Sequence, residues 1–194
     1  MRGVSCKPRC WWCGEDPLYC EYHDKEWGVP VHDDRKIFEM LTLEGFQAGL
    51  SWITILRKRD NFRKAFKNFD VRKVARFGKA DVARLMRDEG IIRNRLKIEA
   101  AITNARRFLD VQKEYGSFDR YIRRFTGNRT VRNPNGLTRK TIRATSPESD
   151  ALSKDLKQRG FKFVGSTVCY AHMQATGMVD DHVVGCFKYR KRKR

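Results

Sequence analysis

Long apolar runs are missing from this chain, and proline is scarce, with 5 in 194 residues. No stretch of about 18 mostly apolar residues is available to span a bilayer. No amino-terminal apolar run precedes a small-residue cleavage site either. These absences exclude a membrane-spanning or secreted protein by the usual signals. The expectation is a soluble, intracellular protein of the cytoplasm or nucleoid, with no membrane partner. Alternating apolar and polar segments are also nearly absent, which argues against a β-rich fold. Acidic residues are outnumbered, 23 Asp and Glu against 42 Lys and Arg, leaving a formal charge of +19. That surplus exceeds what solubility needs and repels itself unless a polyanion is the partner, so nucleic acid leads the candidates.

What is present reads as helix. At 194 residues and with 40% hydrophobic residues, the chain can bury one core, which sets residues 1–187 as a single domain and 188–194 as a disordered basic tail. From Asp33 onward the apolar markers Ile37, Leu41, Ile53 and Leu56 keep a helical period, ending in Arg57, Lys58 and Arg59. "FDVRKVARFG" and "KADVARLMRDEGI" follow as two short helices, with Asp70 and Asp81 as caps or first-turn acids and Gly78 and Gly90 as stops. "RNRLKIEAAITNARRFLDVQKEYG" is a longer amphipathic helix with Ile98, Ala101, Ile102, Ala105 and Leu109 inward. "GNRTVRNPNGLTRKTIRATSPES" is poor in large apolar residues and reads as an exposed excursion. After it, "SDALSKDLKQRG", "FKFVG" and "STVCYAHMQATG" form a helix, a tight hairpin bounded by Gly160 and Gly165, and a second helix ending at Gly177.

The cysteines sit at positions 6, 10, 13, 20, 169 and 186, crowded at the two ends rather than spread as a disulfide framework. With histidines nearby, that clustering favours a metal. In "MVDDHVVGCF", a helical turn would put His182 and Cys186 on one face, where they could supply half of a tetrahedral zinc site. The start of the chain offers Cys6, Cys10, Cys13, Cys20 and His23 for the other half. Spacing alone favours Cys10 with Cys13, the usual Cys-x-x-Cys pair, and leaves Cys10 with His23 as a second choice. Either would tie the two ends together.

Four collinear blocks, "CWWCGEDPLYCEYHDKEWGVP", "FEMLTLEGFQAGLSWITILRKR", "GIIRNRLKIEAAITNAR" and "SDALSKDLKQRGFKFVGSTVCYAHMQATGMVDDHVVGC", resemble the DNA-3-methyladenine glycosylase I family, the Tag type, of the helix-hairpin-helix glycosylase superfamily. The resemblance implies an all-α fold whose two ends are joined by a zinc clasp. It implies a monomeric, monofunctional hydrolase that flips and excises 3-methyladenine from alkylated double-stranded DNA. Carried over residue by residue, it places one structural Zn2+ on Cys10, His23, His182 and Cys186, not on Cys13. It places the base pocket around Glu44, with Tyr22 and Trp52 as aromatic faces and Trp27 lining the same region. Buried Glu44 would accept from an exocyclic amine, and its charge would favour a base made cationic by methylation.

The superfamily commonly uses an aspartate after the hairpin in a "V-D-x-H-V" setting, which Tag-type members are described as lacking. Here "VDDHVV" places Asp180 at that position, either as a group that stabilises the developing sugar cation or as a simple cap. The hairpin would offer backbone N–H groups to a phosphate, with Gly160, Lys162, Gly165 and Ser166 as contacts and Lys157 flanking. No pocket motif supplies a Schiff-base lysine. Two other readings stand beside this one: a noncatalytic zinc-clasped nucleic-acid-binding module, and a glycosylase for another damaged base. A buried Glu44 beside Trp52 separates the enzyme from the pure binder.

Overall fold

The computed structural model describes residues 7–133 and 136–189. Cys6, Pro134 and residues 190–194 of the basic tail lie outside the described residues. The architecture is mostly helical. In chain order it comprises α1 (Pro17–Lys25), α2 (Asp34–Gln47), α3 (Trp52–Ala65), α4 (Val71–Ala75), α5 (Lys79–Arg87), α6 (Arg95–Tyr115), α7 (Phe118–Arg123), α8 (Pro147–Gln158) and α9 (Ser166–Ala175). Two short strands, β1 (Val131–Arg132) and β2 (Val179–Asp180), pair in parallel. No helix among the described residues is long and apolar enough to cross a membrane.

The helix starts follow local chemistry. Asp16, Asp33, Asp70, Asn94, Ser117 and Ser146 each accept a backbone N–H from the first turn of the helix they precede, satisfying donors that have no partner inside the helix. Asp81 works in the other direction, its carboxylate accepting from the N–H of Gly78 at 3.1 Å. Gly78 therefore opens α5 as well as following α4.

α2 lies at the centre, with every residue from Ile37 to Phe46 buried. It packs against α3, α6, α7 and α9. Around it Phe38, Phe46, Phe62, Phe66, Phe69, Phe108 and Phe118 are fully enclosed, and the Phe108 and Phe118 rings stack at 3.9 Å between centroids. Truncating one such ring to alanine costs about 3–5 kcal/mol. On α6 the inward residue near the carboxyl end is Phe108, while Leu109 is only half-buried. The larger ring takes the core position.

The helix expected from Asp33 onward is two helices. The chain breaks at residues 48–51, where Gly49 adopts φ +81°, a conformation open to glycine at little cost. Lys97 of α6 stabilises the break: its buried ammonium donates to the carbonyls of Phe46 (2.8 Å) and Ala48 (2.5 Å), meeting the negative end of α2. The turn swings α3 back alongside α2, so that residues 44 and 52 face a common space.

Two further expectations change. Residues 178–187 are extended and turned, not helical, and the described parts of the middle segment, 127–133 and 136–146, are not simply an exposed excursion. Val131 pairs with Val179, Arg132 with Asp180, and Leu137 bridges to Val183. Thr130 Oγ1 donates to the Gly177 carbonyl at 2.8 Å, and Leu137 is buried. The middle segment is thus a strap threaded against the carboxyl-terminal strand. Gly177 at the start of this stretch lets the backbone of Val29 and Pro30 close in, since a Cβ there would lie 2.4 Å from it.

Candidate active site and metal centre

Cys10, His23, His182 and Cys186 converge, all four buried, with their ligand atoms within 4.8 Å of one another. Cys186 Sγ lies 3.4 Å from His23 Nε2 and 3.7 Å from His182 Nδ1, and Cys10 Sγ lies 3.6 Å from His182 Nδ1. A tetrahedral ion with nitrogen at 2.0–2.1 Å and sulfur at 2.3 Å implies sulfur–nitrogen edges of about 3.5 Å. The donor set fits such an ion. The outer nitrogens are also held: His23 Nδ1 meets Asp24 Oδ1 at 2.8 Å, and Asp24 is clamped by Arg9 through two contacts of 2.8 Å. His182 Nε2 meets the Trp27 carbonyl at 3.3 Å. This arrangement, in which a partner outside the ligand shell fixes each ring, is what orients metal-binding imidazoles. Burial pushes the Cys10 thiol up to about 12, so a cation is needed to draw out its thiolate.

Cys13 stands outside the quartet. Residues Trp11–Cys13 form a single tight turn, which sends the Cys13 thiol back to the Cys10 carbonyl at 3.1 Å. The Cys-x-x-Cys spacing therefore misleads here. Helix α1 brings His23 to the ion site instead, and Cys20, on that helix, turns to the Gly14 carbonyl.

Beside the quartet lies a cavity of about 230 Å³. Tyr22, Trp27, Glu44 and Trp52, all named from sequence, line it together. Tyr22 and Trp52 are 5.4 Å apart between ring centroids, inclined by 53°. Trp27 also meets His182 edge to face at 4.7 Å, so the cavity wall and the ion site share side chains. Sequence reasoning missed Trp12, Tyr19 and Gln174 as lining residues. Tyr19 was within reach of it, three residues before Tyr22 on the same face of α1. Trp12 and Gln174 reach the cavity only through tertiary packing.

Glu44 is 4% exposed, and no described residue hydrogen-bonds its carboxylate. Burial raises its pKa from 4.5 to about 8, partly offset by the Arg59 guanidinium. Arg59 is itself held by Glu39 at 2.6 Å and by Glu26 at 2.8 and 2.9 Å, so its charge is fixed behind the cavity. Trp12 and Trp52 keep buried indole N–H groups without a partner among the described residues. The cavity therefore offers aromatic faces and one carboxylate with unused acceptor capacity. A flat, cationic, amine-bearing heterocycle meets both.

Gln174 is locked in place. Its Nε2 donates to Asp181 Oδ2 at 2.8 Å, and the same oxygen accepts from the Tyr170 hydroxyl at 2.6 Å. Asp180 does not face the cavity. Its Oδ2 accepts from Arg132 Nε at 2.9 Å and its Oδ1 from the His182 N–H at 3.4 Å.

The hairpin between α8 and α9 places Gly160, Lys162, Gly165 and Ser166 in one turn, with Lys157 exposed at the end of α8. Asn104 fixes the turn, accepting from the Lys162 N–H at 2.7 Å and donating to its carbonyl at 2.9 Å. The Lys162 side chain remains exposed, but its N–H is committed. The Ser166 hydroxyl is engaged by Asp150 and Ser149. What the hairpin presents is the amino-terminal end of α9, where first-turn N–H groups lack helical partners.

Residues 12–189 match the family model described as methyladenine glycosylase. The chain is 52% identical over 181 residues to DNA-3-methyladenine glycosylase 1 of Escherichia coli (strain K12), covering 93% of this chain and 96% of that protein. Its fold is similar to a crystal structure of 3-methyladenine DNA glycosylase I, with TM-score 0.91, 49% identity, and coverage of 94% of this chain and 100% of the other. It is also similar to a tyrosine-to-phenylalanine variant of such an enzyme solved in complex with 3-methyladenine, with TM-score 0.90, 34% identity, and coverage of 95% and 99%.

Proposed function

The chain belongs to the methyladenine glycosylase family, and from that premise we propose that it excises 3-methyladenine from alkylated DNA by hydrolysing the N-glycosidic bond. The observation that carries the reading is buried Glu44, without a protein partner among the described residues, in a cavity walled by Tyr22, Trp27 and Trp52. A pure nucleic-acid binder has no use for such a group, since leaving it unpaired costs free energy.

Methylation at N3 places positive charge on the purine, which weakens the glycosidic bond and lets the base depart neutral. Little acid catalysis is needed. The protein must extract the base, hold it and tolerate charge developing on the sugar while water attacks. Tyr22 and Trp52 supply stacking surface against the cost of leaving the helix. Glu44, ionised against the cationic base, supplies a charge-assisted acceptor for the exocyclic amine. Gln174, with its amide nitrogen tied to Asp181, lines the cavity in a fixed position. Asp180, tied to Arg132 and to the backbone of residue 182, is assigned to structure rather than to the reacting sugar.

The partner on this reading is double-stranded DNA, bound by a monomer, since cavity and ion site are complete within one chain. The α8–turn–α9 unit serves as the helix-hairpin-helix contact to one phosphate. The Cys10, His23, His182 and Cys186 quartet would hold one zinc ion. With four protein ligands it leaves no position for water or substrate, so the ion's chemistry is structural, clasping the two ends of the chain. Incubating the purified protein with methylated DNA and identifying the released base by chromatography tests the reading. Release of 3-methyladenine is expected. Release of a different base alone, or of none, would overturn it.

A further inference from the structure

We propose that the strap segment 136–146 is a phosphate clamp at the mouth of the base cavity, in which Arg139 and Arg143 hold the backbone phosphates flanking the extruded nucleotide. The proposal rests on the glycosylase reading above and names protein groups that receive that nucleotide's backbone. The strap carries Arg129, Arg132, Arg139, Lys140 and Arg143 and no acidic residue. By contrast, Arg159 beside the hairpin is committed to Glu114 and Asp155.

The strap delivers Ile142, 37% exposed, to the cavity lining. A small turn sets that position: the Thr138 N–H donates to Thr141 Oγ1 at 2.9 Å and the Ile142 N–H to the Thr138 carbonyl at 3.1 Å. Three residues before Ile142, the Arg139 guanidinium lies 6.0 Å from the ring centroid of Trp11, which also lines the cavity. One residue after it, Arg143 lines an adjoining cleft with Tyr170 and Asp181, and Tyr170 precedes the cavity-lining Ala171 on α9. Two exposed guanidinium groups therefore flank the rim residue. Neither forms an ion pair with a carboxylate among the described residues.

A nucleotide whose base enters the cavity leaves its sugar at the rim and its two phosphates one bond set further out. That is where Arg139 and Arg143 stand, with Ile142 against the sugar. Guanidinium forks suit phosphate oxygens. The strap is also firm enough to position them, since the Val184 N–H donates to the Leu137 carbonyl at 2.8 Å and the Val131 N–H to that of Met178 at 2.8 Å.

The test uses full-length Arg139→Gln, Arg143→Gln and the double variant, with Arg87→Gln as a charge control because Arg87 is exposed on α5 and lines neither the cavity nor the cleft. Binding is read by fluorescence anisotropy on a labelled duplex carrying a tetrahydrofuran abasic site, over a range of salt. Tryptophan fluorescence reads the affinity for free 3-methyladenine. For the double variant we expect Kd to rise by about tenfold or more and the salt slope to fall by about 1.8, near 0.9 per lost phosphate contact. Free-base affinity stays at the wild-type value, and Arg139→Lys with Arg143→Lys restores much of the loss. An unchanged slope and Kd in the double variant overturn the clamp, as does an equal loss in Arg87→Gln. If the wild-type protein excises 3-methyladenine in that experiment, only the clamp falls. A wild-type protein that releases none overturns the glycosylase reading and the clamp with it.

Discussion

Glu44→Gln should make the free protein more stable and less active, and the size of the first effect should depend on pH. The Glu44 carboxyl is buried, and its pKa is raised from 4.5 to about 8. Between those values the folded protein keeps a proton that the unfolded chain has released. The stability tied to this group is therefore full below about pH 4.5 and is lost as pH rises through 8. At pH 7.5 the loss amounts to about 4 kcal/mol, and at pH 5 to about 1 kcal/mol, from 1.36 kcal/mol per pKa unit. Glutamine has the same shape and no titration. Urea unfolding of both proteins at pH 5 and 7.5 should show the stability gap in favour of the glutamine variant widening by about 3 kcal/mol, other groups cancelling in the comparison. Excision should fall by roughly 10- to 100-fold, the range of a lost charge-assisted hydrogen bond. A gap equal at the two pH values would refute the claim that burial keeps this carboxyl protonated in the empty cavity.

Three other outcomes follow from the geometry. Asp180→Asn should leave single-turnover excision within about threefold of wild type, because its salt bridge is with a partly exposed Arg132, a kind of pair worth about 1 kcal/mol or less; a hundredfold loss would restore Asp180 to the reaction. Stripping the ion with a chelator, or replacing Cys186 by serine, should lower the melting temperature by well over 5 °C and release one equivalent of zinc by metal analysis, given that structural zinc binding is worth several kcal/mol or more. An unaltered melt would show that the termini hold without it. His172 is 1% exposed with both ring nitrogens unpartnered among the described residues, and burial lowers its pKa to about 3, so it is a neutral ring whose polar atoms find no partner there. His172→Leu should stabilise by about 1 kcal/mol in denaturant unfolding, and a clear destabilisation would mean that the imidazole has a partner.

The helices were legible because their signals are local. Asp70, Asn94 and Ser146 are caps in the structure for the same reason their residue types suit helix starts, and the period that puts Ile98, Ala101, Ile102 and Ala105 inward belongs to α6 itself. Where reading failed, a distant group decided the matter. The break at Gly49 depends on Lys97, some fifty residues away, holding the carbonyls of Phe46 and Ala48. The strap gave no strand signal because two-residue strands have none to give, and its pairing with residues 177–184 is a long-range event. In the ion site, Cys10 with His23 surpasses Cys10 with Cys13 for a reason invisible in spacing: the turn at Trp11–Cys13 reverses one thiol while α1 brings the imidazole in. Glu44, Trp52 and Tyr22 were recoverable from the resemblance of their blocks. Gln174 was not, since nothing local marks a glutamine whose amide is set by Asp181.

The extended backbone of residues 179–182 explains why one short stretch serves three neighbours. In a helix, residues 180, 181 and 182 would fan out by about 100° each, and His182 and Cys186 would share a face. In a strand, alternate side chains share a side. Asp180 and His182 accordingly point together, both toward Gly28, where an added Cβ would meet His182 Nε2 at 3.0 Å and Asp180 Oδ1 at 3.9 Å. Asp181 points the other way, to Tyr170 and Gln174 on α9. The same alternation thus sends His182 to the ion site, Asp180 to Arg132 on the strap and Asp181 to the wall of the base cavity. A change that makes this stretch helical, or a deletion of one residue from it, would exchange the two sides and disturb all three at once, whereas a change at Asp180 alone should disturb the strap and the His182 N–H and leave the contacts of Asp181 in place.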